Sequence, residues 1–132
     1  MFDAIDHVGI AVEEIDAALE TYTGTLGMAL VHRERVPSHG VELAMLTVGA
    51  EHVELVAPLA ADTPVGRFLS SRGAGLHHIA YRVADIDATM ATLRERSIEL
   101  LDETPREGAL ASRIAFLHPR AAGGVLTEIV QR

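Results

Sequence analysis

Two segments of the sequence are similar, DHVGIAVEEIDA at residues 6–17 and HHIAYRVADIDA at residues 77–88, with His, Val, Ile, Asp and Ala at matching positions. A second pair follows, VELV at residues 53–56 and TEIV at residues 127–130, with a larger offset that loop insertions explain. A repeat that spans half of a chain indicates two supersecondary units that share one core. We therefore expect a single domain over residues 1–132, with module one at about 1–60, a linker at about 61–74 and module two at about 75–132.

The hydrophobic pattern predicts the same order of elements in both modules: one strand, one helix and three further strands. In module one, the strands are expected at residues 3–12, 28–36, 41–48 and 52–56. The helix between the first two strands covers residues 14–26, and one of its faces is apolar: Ile15, Ala18, Leu19, Tyr22 and Leu26.

Module two repeats this order, with a helix that starts near Asp85 and presents Ile86, Met90 and Leu93. Its later strands are expected at residues 98–101, 112–117 and 125–130. In the linker, Asp62-Thr63-Pro64 is typical of a helix start, with a polar cap and a proline in the first turn. The predicted fold class is α+β, built from two tandem βαβββ modules.

The charged residues and the missing residue types exclude several classes of function. All 11 basic residues are arginine, the net charge is −8 and no basic stripe is present, so we expect no nucleic-acid partner. No apolar stretch approaches the ~20 residues of a membrane helix, and we expect a cytoplasmic protein without a membrane partner. Without lysine or cysteine, the chain can form neither a Schiff base nor a thiolate nucleophile.

Four polar residues interrupt strands that are otherwise apolar. Alternation places His7 on the same face of the first strand as Gly9 and Ala11, and His78 occupies the equivalent position in module two. Glu54 and Glu128 lie in the matched segments VELV and TEIV, where an unpaired buried carboxylate would be costly.

A lone strand histidine is more often a packing residue than a metal ligand, but here the histidine and glutamate positions match across the repeat. Two imidazoles and two carboxylates predict one divalent metal ion per chain, drawn from Co, Zn, Mn, Ni or Fe(II). Six-coordination would leave two adjacent positions for substrate or water. His32, His52 and His118 have no partner in the repeat and His77 lies on the opposite face, so we expect packing, surface or loop roles for them.

Several segments together resemble one known family. They are IDHVGIA at residues 5–11, ELVAPL at 54–59, GLHHIA at 75–80, and FLHP at 116–119 leading into GGVLTE at 123–128. The chain resembles the vicinal oxygen chelate superfamily of glyoxalases, bleomycin resistance proteins and dioxygenases, and within it the methylmalonyl-CoA epimerases. The resemblance implies a cupped eight-stranded sheet around a metal site, usually in a homodimer. It also implies that His7, Glu54, His78 and Glu128 bind the metal.

The implied activity is interconversion of the (2R) and (2S) forms of methylmalonyl-CoA, an acyl-CoA substrate. The reaction removes the C2 proton and returns it on the other face, and a divalent metal would stabilise the enolate between the two steps. The sequence does not assign the coenzyme A site, for which Arg33, Arg35 and Arg72 are candidates.

The catalytic base is the point at which the resemblance departs from the pattern. Some epimerases carry an acid on the third strand at the position of Leu43, whereas the carboxylate here is Glu42. A shift of one residue reverses the face of a strand. Either a β-bulge returns Glu42 to the site, or Glu42 is a solvated strand residue and a metal ligand moves the proton. The second arrangement would resemble that of glyoxalase I. Glu42 and Glu128 are both candidate catalytic residues.

Three other functions are compatible with the same fold. A glyoxalase I, or lactoylglutathione lyase, would keep all four ligands, so substrate assays must separate it from an epimerase. An extradiol dioxygenase would need only two histidines and one glutamate. A drug-binding resistance protein would do no chemistry and would lack the metal ligands.

Overall fold

The computed structural model describes every residue from Met1 to Arg132. Its strands and helices, in chain order, are β1 (Ala4–Ala11), α1 (Ile15–Leu19), β2 (Ala29–Val36), β3 (Val41–Val48), β4 (Glu51–Pro58), α2 (Pro64–Arg72), β5 (Gly75–Arg82), α3 (Ile86–Glu95), β6 (Arg106–Glu107), β7 (Arg113–Leu117) and β8 (Thr127–Gln131). The eight strands form one mixed sheet in the order β2-β3-β4-β1-β5-β8-β7-β6. The predicted α+β fold class is therefore confirmed. None of the helices is both long and apolar enough to cross a membrane.

The chain divides into two compact units, Val8–His77 and Met1–His7 together with His78–Arg132. We describe each unit by itself. The assignment of residues 1–132 to one domain of two modules stays a prediction.

In the unit Val8–His77, α1 covers one face of strands β3 and β4. Buried apolar side chains from the helix and from this face form the core: Val12, Ile15, Ala44, Leu46, Leu55 and Ala57. α2 begins as predicted, because the Thr63 hydroxyl accepts a hydrogen bond from the Gly66 amide at 3.0 Å and Pro64 is the first helical residue. A proline costs nothing there, since the amide it lacks would have no partner within the helix.

The first helix differs from the prediction at its end. The chain changes to a π-helix over Glu20–Thr25, and the wider turn shifts the side chains that follow relative to an α-helix. Leu26 is 57% exposed, so its predicted place on the apolar face is wrong. Gly27 then ends the helix in the left-handed region, at a φ of 74°, as a glycine at this position is suited to do.

In the other unit, α3 packs against β7 and β8. Ile86, Met90 and Leu93 are buried as predicted, against Ala115 and Ile129 among others. The Asp85 carboxylate caps the helix by accepting a hydrogen bond from the Ala88 amide at 3.0 Å. The predicted helix start is therefore confirmed.

The strand predicted at residues 98–101 is wrong. Leu100 makes only an isolated bridge to Leu117, and the outer strand is instead the short β6. The reason lies at Asp102, whose side chain accepts a hydrogen bond from the Phe116 amide at 2.8 Å. A carboxylate thus takes the place that a strand carbonyl would occupy, and the ladder stops there.

Candidate metal centre

Three of the predicted ligands converge within one unit, on strands β1, β5 and β8. His7 Nε2 lies 3.1 Å from His78 Nε2. The Glu128 carboxylate approaches both rings, with Oε1 3.9 Å from His7 Nε2 and Oε2 3.5 Å from His78 Nε2. All three side chains are buried. Glu128 lies opposite Ala80 in the parallel pairing of β8 with β5, and Ala80 shares a face with His78 because strand side chains alternate.

Glu54 is the fourth predicted ligand. It lies on β4, opposite Gly9 in the parallel pairing with β1, and its side chain is buried.

The donor set fits a divalent first-row metal. Ligands at about 2.1 Å from such an ion are about 3 Å apart when they are neighbours in an octahedron. The distances from His78 Nε2 to His7 Nε2 and to Glu128 Oε2, 3.1 and 3.5 Å, are near this spacing. The distance of 3.9 Å between His7 Nε2 and Glu128 Oε1 is nearer to the ~4.2 Å that separates opposite ligands. Imidazole nitrogens together with carboxylate oxygens suit Zn, Co, Ni or Mn. The role of the four residues as ligands stays a prediction.

Asp6 orients one of the two histidines, and sequence reasoning assigned it no role. His7 Nδ1 donates a hydrogen bond to Asp6 Oδ2 at 2.7 Å. With the proton on Nδ1, the lone pair of Nε2 points toward His78 and Glu128, which is the orientation that a metal ligand requires. A carboxylate directly before a buried strand histidine was the available signal, but the repeat hides it because His77 takes the equivalent position.

Two arginines hold Asp6 in its ionised form. Asp6 is 1% exposed, Arg82 donates to its Oδ1 at 3.0 and 3.1 Å, and Arg132 donates to its Oδ2 at 2.6 Å. Burial alone would raise the pKa of Asp6, but the hydrogen bonds from His7 and Arg132 together hold that pKa well below its usual range. The negative charge on Asp6 therefore persists and keeps the His7 ring in one orientation.

The other candidate catalytic residue is Glu42 on β3. It lies on the opposite face of the paired strands β3 and β4 from Glu54. In the pairing of β3 with β4, Met45 lies opposite Glu54, whereas Glu42 lies opposite Ala57. Ala57 belongs to the core under α1, so Glu42 is on the helix-covered face. The pairing runs from Val41 to Val48 without a bulge, and the only register shift on β3 belongs to its other neighbour, β2.

Ion pairs hold Glu42 on this face. Arg33 Nη2 donates to Glu42 Oε1 at 2.8 Å, and Arg35 Nη1 lies 3.8 Å from Oε2. The Glu42 side chain is 19% exposed. Of the two alternatives, the β-bulge is absent, and Glu42 is an ion-paired strand residue rather than a freely solvated one.

The sequence matches a family model over residues 6–116, which is most of the chain. The model describes the glyoxalase/bleomycin resistance protein/dioxygenase superfamily. The chain belongs to this superfamily.

Members of the superfamily that this chain is similar to include several epimerases. It is 36% identical to the ethylmalonyl-CoA/methylmalonyl-CoA epimerase of Cereibacter sphaeroides, over 99% of both chains. The crystal structure of methylmalonyl-CoA epimerase from Mycobacterium tuberculosis has 43% identity and a TM-score of 0.94, and the match covers 98% of this chain and 88% of that one. A variant of the Streptomyces coelicolor methylmalonyl-CoA epimerase in complex with 2-nitronate-propionyl-CoA has 41% identity and a TM-score of 0.96, with 99% and 98% covered.

In this superfamily member, an apolar wall borders the donor cluster. Phe116 lies opposite Glu128 in the pairing of β7 with β8, and its ring meets the His78 ring edge to face, with centroids 5.8 Å apart. Ala80, Ile114 and Val130 pack beside it. These side chains reduce the access of water to Glu128, and a drier site strengthens the electrostatic interactions within it.

The histidines that the repeat does not match have other contacts. His77 meets the Phe68 ring edge to face at 4.8 Å, and burial lowers the pKa of His77. His32 Nε2 lies 3.0 Å from Glu34 Oε1. His118 Nδ1 accepts a hydrogen bond from the Arg120 amide at 3.2 Å. These contacts agree with the packing, surface and loop roles expected for the three residues.

Proposed function

We propose that this chain is a methylmalonyl-CoA epimerase that uses one divalent metal ion, held by His7, Glu54, His78 and Glu128. The observation that carries the proposal is the buried convergence of His7, His78 and Glu128, with His7 oriented by Asp6. Similarity to epimerases over 99% of the chain supports the substrate class. The metal is one of Co, Zn, Mn or Ni.

When bound, the metal supplies a Lewis acid that stabilises the negative charge formed on the thioester oxygen. The residues of the chain orient a ligand and limit the access of water. Asp6 keeps the proton of His7 on Nδ1, so that the lone pair of Nε2 remains available for a metal ion. The apolar side chains around Phe116 limit the access of water to the C2 carbon.

We propose that Glu128 moves the C2 proton on the face of the enolate that it reaches, and that the proton delivered to the opposite face, which inverts C2, comes from solvent. Its carboxylate oxygens lie within 3.9 Å of both histidines, so a substrate bound at this cluster would bring C2 close to it. Glu42 is the weaker candidate because it pairs with Arg33 on the face covered by α1. A general base must be within hydrogen-bond reach of the proton that it removes.

The test is deuterium wash-in at C2 of methylmalonyl-CoA, with protein that was stripped with chelator and reloaded with cobalt. Loaded protein should exchange the proton, and stripped protein should not. Full exchange in stripped protein would refute metal dependence. Activity toward the hemithioacetal of glutathione, without exchange at C2, would instead assign the glyoxalase I reaction to the chain.

We further propose that the protein acts as a homodimer in the cytoplasm, as the resemblance implies. Light scattering coupled to size exclusion measures the first property directly. A monomeric mass at micromolar concentration would contradict it.

A further inference from the structure

An acyl-CoA substrate carries several negative charges, and this chain has no lysine to bind them. Arginine must therefore supply the positive charge. In the unit that contains His7, His78 and Glu128, most arginines are already paired with carboxylates: Arg82 and Arg132 with Asp6, Arg113 with Asp87, and Arg120 with Glu99. Arg106 is paired too, with Asp102 through Nε, and its guanidinium also lies beside the Phe116 ring.

Arg106 is on the same face of the sheet as Glu128. It lies opposite Ile114 in the pairing of β6 with β7, and Phe116 lies opposite Glu128 in the pairing of β7 with β8. Directly opposed residues of antiparallel strands project to one side, as do residues two apart on a strand. Arg106, Ile114, Phe116 and Glu128 therefore share a face.

A single aromatic ring separates Arg106 from a predicted metal ligand. The Arg106 guanidinium carbon lies 5.8 Å from the centre of the Phe116 ring. The same ring meets the His78 ring edge to face, also at 5.8 Å. An arginine this close to an aromatic ring is attracted to it by a cation–π interaction.

Asp102 sets the direction of the guanidinium. Its Oδ1 forms an ion pair with Arg106 Nε at 2.8 Å, and its Oδ2 accepts a hydrogen bond from the Phe116 amide at 2.8 Å. Pairing through Nε occupies one edge of the planar guanidinium, so the Nη N–H donors on its other edge and at its end point away from Asp102. The Arg106 side chain is 41% exposed and that of Asp102 is 13% exposed, so a ligand can reach the guanidinium while its anchor is largely covered.

From this arrangement we infer that Arg106 binds an anionic oxygen group of the substrate, either a coenzyme A phosphate or the carboxylate of the acyl group. A planar guanidinium recognises either group through paired hydrogen bonds. The inference rests on the proposed function, because it takes the substrate to be an acyl-CoA.

The test compares Arg106→Gln with Arg113→Gln, a matched control on the neighbouring strand whose guanidinium binds Asp87. KM for methylmalonyl-CoA is measured by C2 exchange with cobalt-loaded enzyme. Loss of a charge-assisted hydrogen-bonded contact predicts a rise in KM of about 10- to 100-fold in Arg106→Gln. If the anion is a coenzyme A phosphate, kcat should change little, because a group far from C2 is bound equally in the ground and transition states. If it is the carboxylate, which is attached to C2, kcat should fall as well. Arg113→Gln should keep KM within about threefold of wild type.

A truncated substrate separates the two possible anions. The N-acetylcysteamine thioester of methylmalonate has the carboxylate but no phosphate. If Arg106 binds a phosphate, its replacement leaves KM for this thioester unchanged, and if it binds the carboxylate, the rise in KM persists. Wild-type KM for both substrates in Arg106→Gln would overturn the inference.

Two further measurements keep the inference separate from folding and from the proposed function. Arg106→Lys keeps the charge but loses the planar fork, so its KM should lie between those of wild type and Arg106→Gln even if the glutamine variant folds poorly. Calorimetry of methylmalonyl-CoA binding needs no turnover. If the wild-type protein does not exchange the C2 proton, the proposed function is refuted. If wild type and Arg106→Lys then also bind methylmalonyl-CoA with equal affinity, the inference is overturned as well.

Discussion

His7 and His78 occupy equivalent places in the repeat, yet their surroundings differ. The His7 ring is held by a charged network, in which Nδ1 donates to Asp6 and Asp6 in turn binds Arg82 and Arg132. The His78 ring packs edge to face on Phe116. The duplication therefore preserved the donor atoms, whereas the residues that orient them diverged. A ligand is defined by its donor atom and position, but several arrangements can hold its ring in place.

The largest expected effect comes from removing either histidine. We expect wild-type protein, purified without chelator and reloaded with cobalt, to contain nearly one metal ion per chain. His7→Ala and His78→Ala should each lose most of this metal and all C2 exchange, because each removes one donor of the same cluster. Elemental analysis measures the stoichiometry. His118→Ala is the control, since its contact is to the Arg120 amide and its metal content should stay that of wild type.

Full metal content in both His78→Ala and Glu128→Ala would refute the site. Loss in only one of the two histidine variants would instead show that the repeated donors are not equivalent.

The next effect tests the support of His7. Asp6→Asn keeps the size of the side chain but removes its charge. We expect cobalt affinity to fall about 10- to 100-fold, the usual cost of losing a carboxylate that orients a metal-bound histidine. Calorimetric titration of metal-free protein with cobalt measures this affinity without relying on activity. Unfolding in urea should show a loss of about 1–3 kcal/mol, because hydrogen bonds to a charged group contribute amounts of this size.

An affinity equal to that of wild type in Asp6→Asn would assign Asp6 to the stability of the fold alone. The control is Asp87→Asn, which also removes a carboxylate from an arginine, Arg113, but at a side chain that is 62% exposed, whereas Asp6 is buried. It should leave cobalt affinity unchanged.

A smaller effect is expected at His78. Phe116→Leu removes the edge-to-face contact and keeps an apolar side chain. We expect cobalt affinity to fall by about 10-fold or less, since such contacts contribute about 0.5–1.5 kcal/mol. The same titration compares it with Asp6→Asn. If Phe116→Leu lowers the affinity more than Asp6→Asn does, packing orients the ligands more strongly than charge does.

The donor residues and most strands were predictable because strand alternation and duplication act at short range and reinforce each other. His7 and His78 stand out against apolar neighbours in both copies, and the start of α3 at Asp85 needs only local capping. The role of Asp6 was not predictable in this way. Its partners Arg82 and Arg132 lie 76 and 126 residues away, and nothing local marks those arginines as its partners.

The failed predictions also arise from hydrogen bonding that the hydrophobic pattern does not encode. Leu26 was expected on the apolar face because the periodicity of an α-helix was continued through Glu20–Thr25, where the hydrogen bonding changes. Residues 98–101 have a strand-like pattern, but the Asp102 side chain competes for the Phe116 amide. The sequence pattern also left open the face of Glu42, because a β-bulge depends on how two strands pair and not on either strand alone.

The smallest expected effect is at Glu42, and it contrasts one carboxylate with another on the two faces of the sheet. Glu42→Gln keeps the shape of the side chain and removes its basicity, while Arg33 keeps its bond to Asp16 at 2.7 Å. We expect metal content and C2 exchange to stay at wild-type values for both epimers, and the free energy of unfolding to fall by no more than about 1 kcal/mol, as for other partly exposed ion pairs.

Glu128→Gln should lower exchange by about 10²-fold or more, the usual contribution of a positioned base. Because Glu128 is also a predicted ligand, exchange must be compared at equal metal occupancy, with cobalt added in excess. A 10²-fold loss in Glu42→Gln for one epimer would show that this carboxylate reaches one face of the enolate, and that strand β3 changes its pairing when substrate binds. Wild-type exchange of both epimers would leave the proton transfer to the donor cluster.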